Sequence, residues 1–497
     1  MLDDDWHRGF PAGHWRIVVV ISFVNRVVPC RSCRGQMERL WVCEILALLL
    51  LALYCPPLYV RNAAAKELVN AAALTADHSN GCLAGVAPTV KLASKPALSF
   101  QDGERIVWLG ASFVERMQLN GHLETWLTTA FPDRDLLFRN LGWSGDTVYG
   151  DARALFGKPK DGFARLIRDV KRARPTTLIV VYGGNEAYAG KAGLGSFSKG
   201  LGVLLDALQA IETRIVLVAP HCRATLPAPL PDPTTYNRDL LLYRNVMVAV
   251  AEQRKLSFVD LYELMQQLPG KPVSTYDGVQ LTVAGYRAAA PWVAARLGAP
   301  ISGYVALREG DKRHVQSDWW VKFEQGRLTA SAVTQVSDLK VTAQGLSFLA
   351  RDKRLHFAGS RLTGEGSASG GGAQRTPRLV AELPPGVYEL RLDAKVVVTG
   401  RSHQEWARGV SFVHQAARQQ WELLRQAIRI KNELYFHRYR PQNETYLYLF
   451  RKNEQGNNAV EIPQFDGLVT ERDQRIAELK IPRSHRFELV RVPAPAP

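Results

Sequence analysis

Cysteine is scarce in this 497-residue chain and badly placed for structural work. There are six, and Cys30, Cys33, Cys43 and Cys55 all fall before residue 56. The Cys30/Cys33 pair has no second pair at zinc-finger spacing, which argues against a metal site; no metal or other cofactor is expected. Only Cys82 and Cys222 lie in the body of the chain, and the sequence leaves their pairing open. Long apolar runs are also missing. After residue 60 nothing approaches the ~20 apolar residues of a membrane span. No internal repeat is present. No helix-turn-helix, zinc-finger or aromatic RNP-type pattern occurs, so nucleic acid is not expected as a partner. Acidic residues are in deficit, with 47 Asp+Glu against 63 Lys+Arg and a net charge of +16. An anionic extracellular polymer is a better partner for that charge than DNA or RNA, and plain solubility is its simplest account.

What is present is a globular composition. A hydrophobic share of 46% excludes a disordered chain. At ~100–200 residues per domain, two or three compact units are expected. Residues 1–36 carry a short apolar run at Ile17–Ile21 and then arginines. Met37 opens a second start: Met-Glu-Arg, an apolar stretch from Leu40 to Tyr54 broken by Glu44, then Asn62-Ala63-Ala64-Ala65. That order is the order of a secretory signal or a single N-terminal anchor. Residues 1–65 are therefore read as extension plus signal or anchor, with export to the periplasm or exterior. Residues 66–100 are read as a linker.

From residue 101 to 298 short apolar runs alternate with helical periodicity. Strands are expected at Arg105–Leu109, Asp135–Phe138, Thr177–Val181, Arg214–Val218 and Leu256–Val259. Strand alternating with helix implies a parallel sheet covered on both faces, with ligands at the carboxyl ends of the strands. The texture changes after residue 299. Alternation over Gly326–Phe348 and Gly386–Val398, around a Gly/Ser-rich stretch at Gly364–Gly372, predicts a small β-rich insert over 299–402. Trp406–Leu434 reads as helix, with Trp421, Leu424 and Ile428 on one face, inside a basic, aromatic extension over 403–497. Trp319, Trp320 and Trp406 are candidates for stacking on sugar rings, although core packing suits tryptophan better. Arg438, Arg440, Arg451 and Lys452 are candidates for meeting acidic groups on a polysaccharide.

The expected strands are followed by four polar blocks: Gly110-Ala111-Ser112, Asn140-Leu141-Gly142-Trp143-Ser144-Gly145-Asp146, Gly183-Gly184-Asn185-Glu186, and Asp277-Gly278-Val279-Gln280. In this order they resemble the SGNH/GDSL hydrolase superfamily. The resemblance spans about residues 105–298. It implies a flavodoxin-like three-layer α/β/α sandwich. It implies a serine ester hydrolase acting on small-molecule or polysaccharide esters, with deacetylation of a carbohydrate among the options. Ser112 takes the nucleophile position. The N–H of Ser112, the N–H of Gly142 and the side-chain amide of Asn185 take the oxyanion hole. Asp277 takes the place of the acid that orients the base. The segment from Asn432 through Asn458 looks like a C-terminal extension of large exported bacterial members.

Two positions depart from the family pattern. Ala111 replaces the aspartate beside the nucleophile. Gln280 stands where the family has histidine, and an amide does not accept a proton near neutral pH. Losing the base costs on the order of 10⁴–10⁶ in rate, while an oxyanion hole alone retains roughly 10³–10⁴ over water. Three readings stay open: another histidine supplies the base, with His221 after the fourth strand ahead of His437 and His122; the domain is slow or degenerate and binds a ligand; or residue 280 reflects a sequence error.

Overall fold

Runs of branched and aromatic residues form β1 (Arg105–Gly110), β2 (Leu137–Gly142), β3 (Thr177–Val181), β4 (Arg214–Ala219) and β5 (Ser257–Asp260). The computed structural model describes residues 97–266, 274–300, 319–355, 377–447, 449–454 and 458–493. The expected signal or anchor, Cys82 and the Gly364–Gly372 stretch lie outside the described residues. All five strands pair in parallel, in the order β2-β1-β3-β4-β5. That is the flavodoxin-like doubly wound order, with its switch point beside β1.

Side-chain alternation along β1 and β3 explains the two covered faces. Ile106, Trp108, Ile179 and Val181 enter one core, and Val107, Leu109, Leu178 and Val180 enter the other. Helices α1 (Ser112–Met117), α2 (His122–Ala130), α3 (Pro159–Ala173), α4 (Leu194–Gln209), α5 (Thr234–Arg254), α6 (Leu261–Gln266) and α7 (Val283–Leu297) divide between them. Buried residues of α1, α2, α6 and α7 line the first core, and those of α3, α4 and α5 line the second. The second strand starts and ends later than its apolar run predicts. Arg139 and Asn140 hide its continuation, because both are polar yet buried. Each has a partner: Arg139 donates to Asp473 at 3.1 and 2.5 Å, and Asn140 Nδ2 donates to the Val114 carbonyl at 2.7 Å.

The rest of the described chain is β-rich and helical. Strands β6 (Trp320–Glu324), β7 (Arg327–Ala330), β8 (Thr334–Thr342), β9 (Gly345–Asp352), β10 (Arg378–Ala381), β11 (Val387–Leu392), β12 (Lys395–Ser402), β13 (Val410–Ser411) and β14 (Ser484–Val492) build two sheets. The sheet order β12-β11-β14-β9-β8 places the last strand of the chain at the centre of the five-stranded sheet. Trp319 and Trp406 are 4% and 0% exposed. Their indole N–H groups donate to Asp352 and to the Tyr388 carbonyl. They are core residues, which removes them as sugar platforms. Trp320 is half-buried, with Lys322 over its ring.

The helix expected over Trp406–Leu434 is two helices. Helix α8 (His403–Arg408) starts from a Ser402/Glu405 capping box and stops at Gly409, which has φ +93°. Helix α9 (Gln415–Tyr439) starts anew, with His414 Nδ1 accepting from the Ala417 N–H. Short α10 (Glu444–Leu447) and α11 (Phe465–Leu479) follow. Trp421, Leu424 and Ile428 do share a buried face, packed on Ile476 and Leu479 of α11, with Trp126 of α2 edge-on to Trp421 at 4.9 Å. Lys431 is fully buried and donates to Glu124 at 2.6 Å and to the Phe138 carbonyl at 2.9 Å. Removing one partner of such a pair costs ~3–5 kcal/mol. The extension is thus locked onto the α/β unit. Its cations are committed as well: Arg438 pairs with Asp466, Arg440 with Glu115 and Arg451 with Glu454. Lys452 is exposed. No described helix is long and apolar enough to cross a membrane.

Candidate active site

Ser112, Gly142, Asn185, Asp277, Gln280 and His221 fall at the carboxyl edge of the sheet or on a loop tied to it. Ser112 is the first residue of α1, directly after β1. Gly110 permits the turn, because a Cβ there would stand 2.4 Å from the Val181 carbonyl of the neighbouring strand. Neither the N–H nor the hydroxyl of Ser112 hydrogen-bonds to a described residue. A first-turn N–H is an orphan donor by construction.

Gly142 is not the free donor that the sequence suggests. Its N–H donates to Asn140 Oδ1 at 2.8 Å. A Cβ at this position would lie 2.2 Å from the Glu115 nitrogen, so glycine is required by the close packing of α1 on β2. The N–H that is left over belongs to Gly145. This residue is exposed, has φ +80°, and its N–H makes no hydrogen bond within the described residues. Its neighbours on both sides are fixed. The Trp143 N–H donates to the Gly110 carbonyl at 2.9 Å, and the Ser144 N–H to Glu115 Oε2 at 2.5 Å. Asp146 is wholly buried and accepts from Arg153 at 2.7 Å and from the Tyr182 hydroxyl at 2.8 Å. The sequence does carry a signal for Gly145: a glycine inside a polar turn, where a left-handed backbone is needed.

Asn185 follows β3. Its Nδ2 donates to the Asp146 carbonyl at 2.7 Å, which ties the third loop to the second and leaves the other amide hydrogen for a ligand. Glu186 secures the same junction, accepting from the Val148 N–H at 2.8 Å and the Gly183 N–H at 2.9 Å. Burial pushes Glu186 up to about 7, against the pull of its own backbone, Val148 and Gly183. Ser112, Gly145 and Asn185 thus offer three unspent donors on adjacent loops.

The proton-accepting side is different. Asp277 Oδ1 is occupied by the N–H groups of Val279 at 3.0 Å and Gln280 at 2.7 Å. Burial pulls Asp277 upward, but those N–H groups, its own backbone and Arg116 hold it below the usual carboxylate range. Arg116 belongs to α1, one turn after Ser112. The Tyr286 hydroxyl donates to the Phe113 carbonyl at 2.8 Å, a second tie between α1 and the region of Asp277. The loop after β4 joins them, because the Ala224 N–H donates to the Gly278 carbonyl at 2.8 Å. Asp277 is therefore in place and Gln280 beside it, with no imidazole at 280.

His221 sits on that β4 loop, its ring 5.5 Å from the ring of Phe113, the residue after Ser112. Nδ1 lies 2.9 Å from the Cys222 carbonyl, so Nδ1 donates and Nε2 is the basic nitrogen. Burial lowers its pKa, the Cys222 carbonyl opposes this and Arg223 adds to it. The imidazole is neutral at physiological pH. The other two candidates lie elsewhere. His122 is buried at the start of α2, where burial and then Arg425 and Arg287 pull it to about 4. His437 packs between Phe436 and Phe465 in the extension. Among the described residues no group of three or more His, Cys, Asp or Glu side chains is set to hold a metal.

No curated protein matches the chain. Among solved structures, a gut microbial diltiazem-metabolizing enzyme is 15% identical, with a TM-score of 0.54, covering 80% of this chain and 100% of that one. This shared fold extends beyond the α/β unit into the β-rich and helical regions. An acetylxylan esterase from Geobacillus stearothermophilus is 19% identical, with a TM-score of 0.32, covering 40% of this chain and 97% of that one. A hydrolase from the metagenome of Lake Arreo, Spain, is 20% identical, with a TM-score of 0.32, covering 41% and 99%. Residues 108–288 match the GDSL-like lipase/acylhydrolase family. The parallel α/β unit of this chain is a GDSL-like lipase/acylhydrolase domain of the SGNH/GDSL superfamily.

Proposed function

We propose that this chain hydrolyses esters through an acyl-enzyme on Ser112, with His221 standing in for the imidazole missing at 280. Ser112 Oγ attacks the acyl carbon while its proton passes to His221 Nε2. The N–H groups of Ser112 and Gly145 and the Nδ2 of Asn185 receive the oxyanion. Collapse expels the alcohol, which takes the proton from His221. Water, deprotonated by the same nitrogen, then releases the carboxylic acid and restores Ser112. The Cys222 carbonyl fixes the His221 tautomer, the task that Asp277 has in the family arrangement. The observation that carries this reading is the set of three unspent donors around Ser112.

The substrate class we propose is a small acyl group on a carbohydrate alcohol. Tyr188 supports it: it follows Asn185 closely and is 68% exposed, a flat face beside the donors. Arg223 packs behind it, 4.4 Å from the Tyr188 ring and 3.4 Å from the Tyr236 ring. Export, proposed from the order of residues 37–65, would place the chain where such polymers occur. Gln280 favours a second reading, a ligand-binding protein on the same fold that turns over nothing.

The test is turnover of p-nitrophenyl acetate by the natural protein, Ser112→Ala and His221→Ala. Activity that both variants lose, with folding intact, is the expected outcome. Activity unchanged in Ser112→Ala overturns the proposal, and no activity in the natural protein leaves the binding reading standing.

A further inference from the structure

Trp143 and its neighbours are held partly by residues that do not belong to the hydrolase domain. The loop from Gly142 to Gly145 has its carbonyl at 142 bonded to the Tyr439 hydroxyl at 2.6 Å. Tyr439 is the last residue of α9. The next residue, Arg440, lays its guanidinium 3.7 Å from the Trp143 ring and donates to Glu115 Oε2 at 3.0 Å. That same carboxylate oxygen accepts the Ser144 N–H. Arg165 also faces Trp143, at 4.7 Å, and is held in place by a two-pronged pair with Glu444 of α10. Three consecutive residues before Gly145 therefore have a direct or one-step link to the extension.

We propose that the C-terminal extension is part of the catalytic apparatus, with Tyr439 and Arg440 as positioning residues that hold the 142–145 loop so that the Gly145 N–H faces the oxyanion. The proposal rests on the ester-hydrolase reading above. The physical argument is one of preorganisation. A donor contributes to the transition state only if it is already aimed, and a misplacement of ~1 Å costs about 10²-fold. Gly145 itself has no side chain, and among the described residues no hydrogen bond of its own holds its position. Its aim is set by the residues on either side. Asp146 fixes the following side from within the domain through Arg153 and Tyr182. The preceding side is held within the domain by the Trp143 N–H on the Gly110 carbonyl at 2.9 Å and by the Asp146 N–H on the Trp143 carbonyl at 3.0 Å, and from the extension by Tyr439 and by Glu115 as oriented by Arg440. A guanidinium suits this place better than an ammonium, because it can stack on the indole and bond a carboxylate at once.

The experiment uses the full chain with Tyr439→Phe, Arg440→Ala and Arg440→Lys, and the Tyr439→Phe/Arg440→Ala double variant. Two readouts are taken: kcat and KM on p-nitrophenyl acetate, and amide hydrogen exchange of the 142–148 segment. The expected result for the double variant is a fall in kcat of about 10- to 100-fold with KM within about twofold, Arg440→Lys recovering part of it. Exchange should speed up in 142–148 while the strands keep their protection. Unchanged exchange in that segment in the double variant overturns the brace, whatever the activity. If Ser112→Ala equals the natural protein in turnover, the ester-hydrolase reading has failed instead, and with it the catalytic role proposed for the brace. A fall in kcat matched by loss of protection throughout the chain would assign Tyr439 and Arg440 to general stability and also overturn it.

Discussion

The two halves of the site have had different fates. On the oxyanion side, the loops after β1, β2 and β3 are cross-tied by Asn140, Asp146, Asn185 and Glu186 and backed by Tyr439 and Arg440. On the proton-accepting side, Asp277 keeps its place and its ionised character, yet its neighbour is Gln280. The difference teaches that the geometry for receiving a negative charge and the chemistry for taking a proton are separable. The first is spread over many backbone groups and packed side chains. On the proposed reading the second resides in one nitrogen, found at His221 instead of at position 280.

The largest expected effect breaks the oxyanion side at its centre. Ser112→Ala should lower kcat on p-nitrophenyl acetate by ~10³ or more, since nucleophile and base act as a unit. Asn185→Ala comes next, with an expected loss of about 10²–10³ in kcat and little change in KM. Gln280→His addresses the other side. With Asp277 already ionised and adjacent, the restored imidazole adds a carboxylate-oriented base beside His221 and should raise kcat by about 10-fold at most.

The pH profile separates the two bases. Burial lowers the His221 pKa, so kcat/KM of the natural protein should stay high as pH falls below the ordinary histidine value of ~6.5. In a His221→Ala/Gln280→His variant the acid limb should move upward, since the Asp277 carboxylate favours the imidazolium. The same limb in both proteins would show that His221 is not the base. His122 gives the smallest effect and sharpens the comparison from outside the site. Its pKa is about 4 when folded against an ordinary 6.5, so the unfolded chain binds the proton first as pH falls between these values. Stability should drop over that window by about 2 kcal/mol, and His122→Gln should remove that share of the drop without touching kcat. Thermal unfolding at pH 7 and pH 4.5 checks it.

Much of this was legible in the sequence, for identifiable reasons. The strands with unbroken apolar runs, such as Thr177–Val181, read directly as buried parallel strands. β2 read short because Arg139 and Asn140 are polar yet buried, Arg139 through Asp473 far along the chain and Asn140 through the Val114 carbonyl and the Gly142 N–H. The positions of Ser112, Asn185 and Asp277 stood out because four polar blocks occur in the order that resembles the SGNH/GDSL superfamily. Gly142 and Gly145 are glycines of one block, and the polar turn around Gly145 is the one sequence feature that separates them. The hydrogen bond from Gly142 to Asn140 and the positive φ of Gly145 then decide which N–H is free. The brace from Tyr439 and Arg440 had no local signal, because it joins residues about 300 positions apart.

Mapping the acyl adduct tests the central claim most directly. The natural protein, mixed briefly with p-nitrophenyl acetate, quenched in acid and digested, should yield an acetylated peptide containing Ser112. That adduct should form far more slowly in His221→Ala, which lacks the base for acylation, and be absent from Ser112→Ala. Acetyl on another residue, or an unmodified Ser112 peptide alongside steady release of nitrophenol, would contradict the account.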